Sequence, residues 1–147
     1  MAGYSGTPLP KKLGVREGAR LGLIDAPDGF RRTLGALPAG AEVRTQARGR
    51  LDVIVVFAMR AAPLERRFGS LARSLEPDGG LWVAWPKQAS GVVTDLRFES
   101  VQRIGLDAGL VDNKTCAIDD VWSGARFVYR VADRPSPGSG ARRRKGA

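Results

Sequence analysis

Apolar positions along this chain follow two alternating rhythms. Residues 81–86 read Leu-Trp-Val-Ala-Trp-Pro. Successive strand side chains point to opposite faces. Leu81, Val83 and Trp85 therefore share one face, and Trp82 and Ala84 the other. Neither set is polar, which suits a central strand of a mostly parallel sheet covered by helices on both sides. Pro86 has no N–H with which to extend the ladder. Residues 51–58 have the same character, with Val53, Ile54, Val55, Val56 and Phe57 in succession, and read as a second central strand. Between these two strands the period lengthens. Leu64, Phe68, Leu71 and Leu75 recur at helical spacing behind Pro63, a residue suited to a first helical turn.

The remaining elements are shorter. Residues 20–25 predict a strand carrying Leu21, Leu23 and Ile24. A turn at residues 26–29 leads to a helix over 30–37, with Phe30, Leu34 and Leu37 on one face. Residues 41–45 predict a short strand. Pro77, Asp78, Gly79 and Gly80 predict a turn into the 81–86 strand. Beyond a polar loop, Thr94 or Asp95 is placed to cap a helix carrying Leu96, Val101, Ile104 and Ala108, which Gly109 ends. Residues 110–118 and 126–131 predict an antiparallel hairpin joined through 119–124.

Strands alternating with helices imply right-handed crossovers and a parallel sheet. The expected fold is α/β, three-layered and Rossmann-like, with about six strands ending in the antiparallel hairpin. Residues 1–12, rich in Gly and Pro, predict an extended N-terminal segment, either a disordered leader or a strap across the sheet anchored by Tyr4 and Leu9. Residues 13–132 predict a single domain, and 133–147 a disordered basic tail.

Composition narrows the chemistry. A chain of 147 residues buries roughly 68% of its unfolded surface, enough to fold without disulfides or metals. There is no histidine and one cysteine, Cys116. That removes Ser-His-Asp and Cys-His catalysis, zinc sites of Cys/His type and any internal disulfide. Cys116 reads as an inert strand residue. Two adjacent carboxylates, Asp119 and Asp120, are too few to define a cation site, so no metal is expected. No apolar run approaches the ~20 residues that span a bilayer, and the expected location is cytoplasmic. The net charge is +9, of which +2 lies in residues 1–12 and +4 in 133–147. Arg142, Arg143, Arg144 and Lys145 therefore predict weak, salt-sensitive attraction to nucleic acid, without an ordered basic reading surface.

Two resemblances emerge from these residues. GYSGTPLPKKLG at 3–14, LWVAWPK at 81–87, GLVDNK at 109–114 and WSG at 122–124 resemble an actinobacterial family of small proteins of unknown function. That resemblance covers about residues 3–134 and implies no activity. The order of elements is similar to a shortened class I, S-adenosylmethionine-dependent methyltransferase fold. It implies that residues 51–58 stand for the fourth strand and 77–85 for the fifth, with a helix–strand–helix unit missing between Thr45 and Leu51. The cofactor elements of that fold do not follow. The glycine-rich turn after the first strand is replaced by Asp25, Ala26, Pro27, Asp28 and Gly29, which cannot give the backbone the same close approach. The acidic residue that would hold the ribose is replaced by Thr45, Gln46, Ala47 and Arg48.

These readings predict a binding or interaction module without catalysis and without a cofactor. Ligands of open α/β sheets bind outside the carboxyl ends of the strands. The candidate ligand residues are therefore Asp25, Asp28, Phe57, Trp85, Lys87 and Ser90, with Lys87 placed to hold an anionic small molecule. Trp122 is the candidate protein contact, since tryptophan is enriched at interface hot spots. The rival reading is a small-ligand enzyme or sensor using the same strand ends. A pocket filled by Tyr4, Phe30 or Trp122 would count against that rival.

Overall fold

The computed structural model describes residues 6–134. Helix α1 spans Leu9–Leu13, strand β1 Arg20–Ile24, α2 Phe30–Leu34 and β2 Glu42–Arg44. Then come β3 (Leu51–Phe57), α3 (Ala61–Ser74), β4 (Leu75–Pro86), α4 (Phe98–Asp107), β5 (Leu110–Ala117) and β6 (Trp122–Tyr129). The six strands form one sheet in the order β2-β1-β3-β4-β6-β5. The first four run parallel, and β6 pairs antiparallel with both β4 and β5. The expected three-layer α/β architecture with a closing hairpin is what the chain forms.

Both faces of β3 and β4 are covered, as their unbroken apolar runs require. On one face α3 and α4 bring Leu64, Phe68, Leu71, Val101 and Ile104 onto Ile54, Val56, Val83, Trp85 and Phe127. Gly105 of α4 lies so close to the Phe127 ring that an added Cβ would collide with it. On the other face α1 and α2 bring Leu13, Phe30 and Leu34 onto Leu21, Leu23, Val53, Val55 and Trp82. Trp82 is fully buried. Its indole N–H donates to the Leu13 carbonyl at 3.0 Å, tying the N-terminal segment to the middle of the sheet.

At the amino ends of the strands lies Glu76, the one buried charged residue among those described. Arg20 reaches it through Nη2 at 2.8 Å and Asp52 through Nε at 3.2 Å. Burial pulls the Arg20 pKa down, but its bonds to the two carboxylates outweigh that and leave it raised.

Several boundaries differ from expectation, each for a local reason. Residues 9–13, expected as extended chain, form α1. Pro10 falls in the first turn, where a missing N–H costs no helical bond, and Gly14 closes the helix in the left-handed region (φ 89°). The second helix stops at Leu34 because Gly35 turns away at φ 81°. Residues 77–80, expected as a turn, belong to β4 as an irregular excursion. Leu51 pairs with Leu75 and Val53 with Gly80. Gly79 permits the bulge, since a Cβ there would lie 2.5 Å from the Asp52 carbonyl oxygen.

Asp95 does not cap α4. Its carboxylate accepts from the Ala61 N–H at 2.8 Å, at the start of α3, while Ser100 accepts from Arg97 N–H at the start of α4. Strand β6 begins at Trp122, earlier than expected. The Asp119 carboxylate accepts from the N–H groups of Val121 and Trp122, at 2.9 and 2.8 Å, and tightens the hairpin. Tyr4 and the basic segment 135–147 lie outside the described residues.

Trp82→Phe removes a buried hydrogen bond and part of a filled volume. It should cost about 2 kcal/mol, which for a domain of this size lowers Tm by roughly 4–8 °C. Calorimetry of the variant checks this, and an unchanged Tm would show that α1 is held by its apolar contacts alone.

Candidate functional site

The order of strand connection reverses between β1 and β3: from β1 the chain goes first to β2 on one side and then crosses to β3 on the other. Open α/β sheets place ligands in the crevice outside the carboxyl ends of the strands at such a point. Here that crevice lies between Asp25, just beyond β1, and Phe57, the last residue of β3.

Aromatic rings occupy it. Phe57 packs edge-to-face against Phe30, with centroids 4.8 Å apart, and against Trp122, at 5.1 Å. This is the geometry that ring quadrupoles favour. The three rings come from the start of α2, the end of β3 and the start of β6, so the fold itself delivers them to one place. Beside them remains a cavity of about 250 Å³, lined by Asp25, Phe57, Met59, Arg60, Arg67 and Trp122. Across the Asp25 loop, a groove of about 430 Å³ runs along Pro27, Phe30, Arg31, Val43 and Thr45.

Asp25 sits at φ 60°, the one non-glycine residue with positive φ among those described. Arg67 of α3 donates to its carboxylate at 2.5 Å. Asp28 is exposed in the turn before α2. Trp85 is buried on the opposite face of the sheet, among α3 and α4. Lys87 donates its backbone N–H to the Val121 carbonyl at 2.7 Å. The Ser90 hydroxyl donates to the Lys87 carbonyl at 2.7 Å and accepts from the Val92 N–H at 3.1 Å, closing a short 3-10 turn over Gln88–Ser90.

Of the six candidate ligand residues, the structure brings Asp25 and Phe57 to one cavity and adds Trp122. Asp28, Trp85, Lys87 and Ser90 do not line it. Sequence reasoning missed Arg67, which lies off the apolar stripe of its helix. Nothing in the local pattern links positions 25 and 67. Met59 and Arg60 were missed for a similar reason, since they fall in the junction between two strong periodicities.

Cys116 packs partly against the α1/α2 layer. Burial pushes its thiol up, outweighing the nearby Lys12 and Lys114, so it is a poor nucleophile at neutral pH. Among the described residues no three His, Cys, Asp or Glu side chains cluster to hold a metal. No helix among them is long and apolar enough to cross a membrane.

No family model and no curated protein matches this chain. Solved structures do. A SAM dependent methyltransferase from Aquifex aeolicus is similar at TM-score 0.54 and 14% identity, over 80% of this chain and 85% of that one. The magnesium protoporphyrin IX methyltransferase ChlM from Synechocystis PCC 6803, with SAH bound, gives 0.52 and 11%, over 83% and 78%. A ribosomal protein L11 methylase from Lactobacillus delbrueckii subsp. bulgaricus gives 0.56 and 11%, over 83% and 75%. At these identities the likeness is one of fold, a methyltransferase-like Rossmann arrangement.

The residues present do not fit the nucleoside cofactor that this fold implies. Three rings pack across the crevice, and the cavity beside them, about 250 Å³, is smaller than the roughly 300–1,000 Å³ of small-molecule sites; only the groove of about 430 Å³ on the other side of the Asp25 loop reaches that range. The larger groove carries no carboxylate from the end of β2, where Thr45 stands.

The strained Asp25 is a further test of what this loop does. A left-handed non-glycine residue costs about 1–2 kcal/mol. An exposed ion pair contributes about 0.2–1 kcal/mol, and glycine costs about 0.5–1 kcal/mol in chain entropy. These nearly cancel, so Asp25→Gly should shift stability by less than about 1 kcal/mol in chemical denaturation. A loss of several kcal/mol would mean that the Asp25–Arg67 pair holds the loop in place.

Proposed function

We propose that this chain is a non-catalytic binding or interaction module built on a methyltransferase-like fold. The observation that carries the reading is the packing of Phe30 and Trp122 onto Phe57, across the place where such a fold takes its ligand. Catalysis by methyl transfer needs a bound methyl donor held in register with an acceptor. A crevice filled by three side chains from α2, β3 and β6 supports the opposite, a fold kept for its shape. The lack of histidine supports it further, because the most frequent general base is missing. Asp25 is tied to Arg67, and Cys116 is held as a thiol, so neither stands ready as base or nucleophile.

The test is binding and turnover together. Titration calorimetry with S-adenosylmethionine and with S-adenosylhomocysteine, each to millimolar concentration, should show no saturable heat. Incubation with a methyl-labelled donor should leave small-molecule and protein acceptors unlabelled. Micromolar binding that is lost in Phe57→Trp, together with labelling of any acceptor, would overturn the reading in favour of an enzyme.

A further inference from the structure

The opposite edge of the sheet holds the larger opening. A cleft of about 790 Å³ lies at the amino ends of the parallel strands, beneath the turn that follows α1. Four arginines line it: Arg16, Arg20, Arg44 and Arg126. Two are neutralised within the protein. Arg20 binds Asp52 and Glu76, and Arg44 binds Glu42 at 3.1 Å. Among the described residues, Arg16 and Arg126 have no carboxylate within 4 Å in an ion pair.

Arg126 is the unusual member. It lies in β6, opposite Trp82 of β4, and is half-buried. Its guanidinium rests against the backbone of Gly80, where an added Cβ would collide with Nε, Cζ and Nη2. Its hydrogen bond to the Asn113 side-chain oxygen is long, at 3.4 Å. Arginine stays charged in proteins and offers five N–H donors in a flat fork. A half-buried guanidinium with one weak acceptor leaves most of that fork unused. Burial pulls its pKa down, and the charge of Arg16 pulls it further. Two like charges at one cleft, one of them desolvated, repel each other unless an anion comes between them.

We propose that this cleft binds a small phosphorylated molecule, with Arg126 and Arg16 holding its phosphate. The guanidinium fork matches phosphate oxygens in pairs, and Gly80 clears the space in which it lies flat. The cleft volume falls within the range of small-molecule sites. Glu17 and Asp78 also line it; their charges disfavour a second anionic group nearby, and Glu17 accepts from hydroxyl or amine groups. That selects a single phosphate head on a hydroxyl-bearing body over an extended polyanion. The site is separate from the filled crevice at the carboxyl ends and does not depend on how that crevice is read.

The experiment is a thermal-shift and calorimetric titration of the full chain at constant ionic strength. The probes are inorganic phosphate, pyrophosphate, ribose 5-phosphate and a ten-nucleotide single strand. The wild type should bind ribose 5-phosphate saturably, and more tightly than inorganic phosphate. Loss of a charge-assisted contact in Arg16→Gln should weaken it about tenfold or more, with no change in the unliganded Tm. Arg126→Met should abolish the ligand-induced shift while leaving the unliganded Tm equal or higher, because an uncompensated charge is replaced by an apolar chain of similar length. Gly80→Ala, which must displace the guanidinium, should weaken binding too. No response of the wild type to phosphate or its monoester, or an equal response in the Arg126 and Arg16 variants, overturns the proposal. So does binding of the oligonucleotide alone, which would make the surface a backbone-tracking one.

Discussion

A buried indole cannot be left without an acceptor, and this requirement at Trp82 shapes much of the molecule. Trp82 occupies the middle of β4, between β3 and β6 in the sheet, and its side chain is buried under the α1/α2 layer. Its one polar atom must find a carbonyl inside the protein, since an unpaired buried donor costs about 1–3 kcal/mol. The partner is Leu13, nearly seventy residues away in sequence, so the start of the chain is held against the centre of the sheet. Once α1 is docked there, Leu13 and Val15 complete the apolar layer that also buries Phe30, Phe57 and Ile118. The turn after α1 then forms the roof of the arginine cleft. The stretches LPKKLG at 9–14 and LWVAWPK at 81–87 are therefore joined by a hydrogen bond.

The sheet was legible from the sequence because its signals are strong and local. Two apolar runs, Val53 to Phe57 and Leu81 to Trp85, cannot be solvated on either face, and α3 carries an unbroken stripe. Boundaries were less legible, because they depend on tertiary partners. Asp95 looked like a cap for the helix that follows it, but its carboxylate serves α3 after the loop doubles back. Pro77 to Gly80 read as a turn, yet the ladder continues through them as a bulge. The site was legible only in part. The position of Asp25 and Phe57 at strand ends follows from topology. The approach of Trp122 and Arg67 does not, because it requires knowing how far β6 extends and which face of α3 meets the loop.

The two edges of the sheet differ in how their demands are met. At the carboxyl edge several strong groups have partners within the chain. The rings pack on each other, Asp25 meets Arg67, and Ser90 closes its own turn. At the amino edge Arg20 is fully paired, whereas Arg126 is desolvated beside Arg16 with one weak acceptor. At the edge where such a fold usually opens, three side chains pack across the switch point. The remaining electrostatic imbalance lies at the other.

The central claim is that Phe30, Phe57 and Trp122 themselves occupy the switch-point crevice. It is tested most directly by a crystal structure grown with saturating S-adenosylhomocysteine. The account predicts the three rings in edge-to-face contact, with no nucleoside across the ends of β1 and β3. A bound nucleoside there, with Trp122 swung away from Phe57, would contradict it.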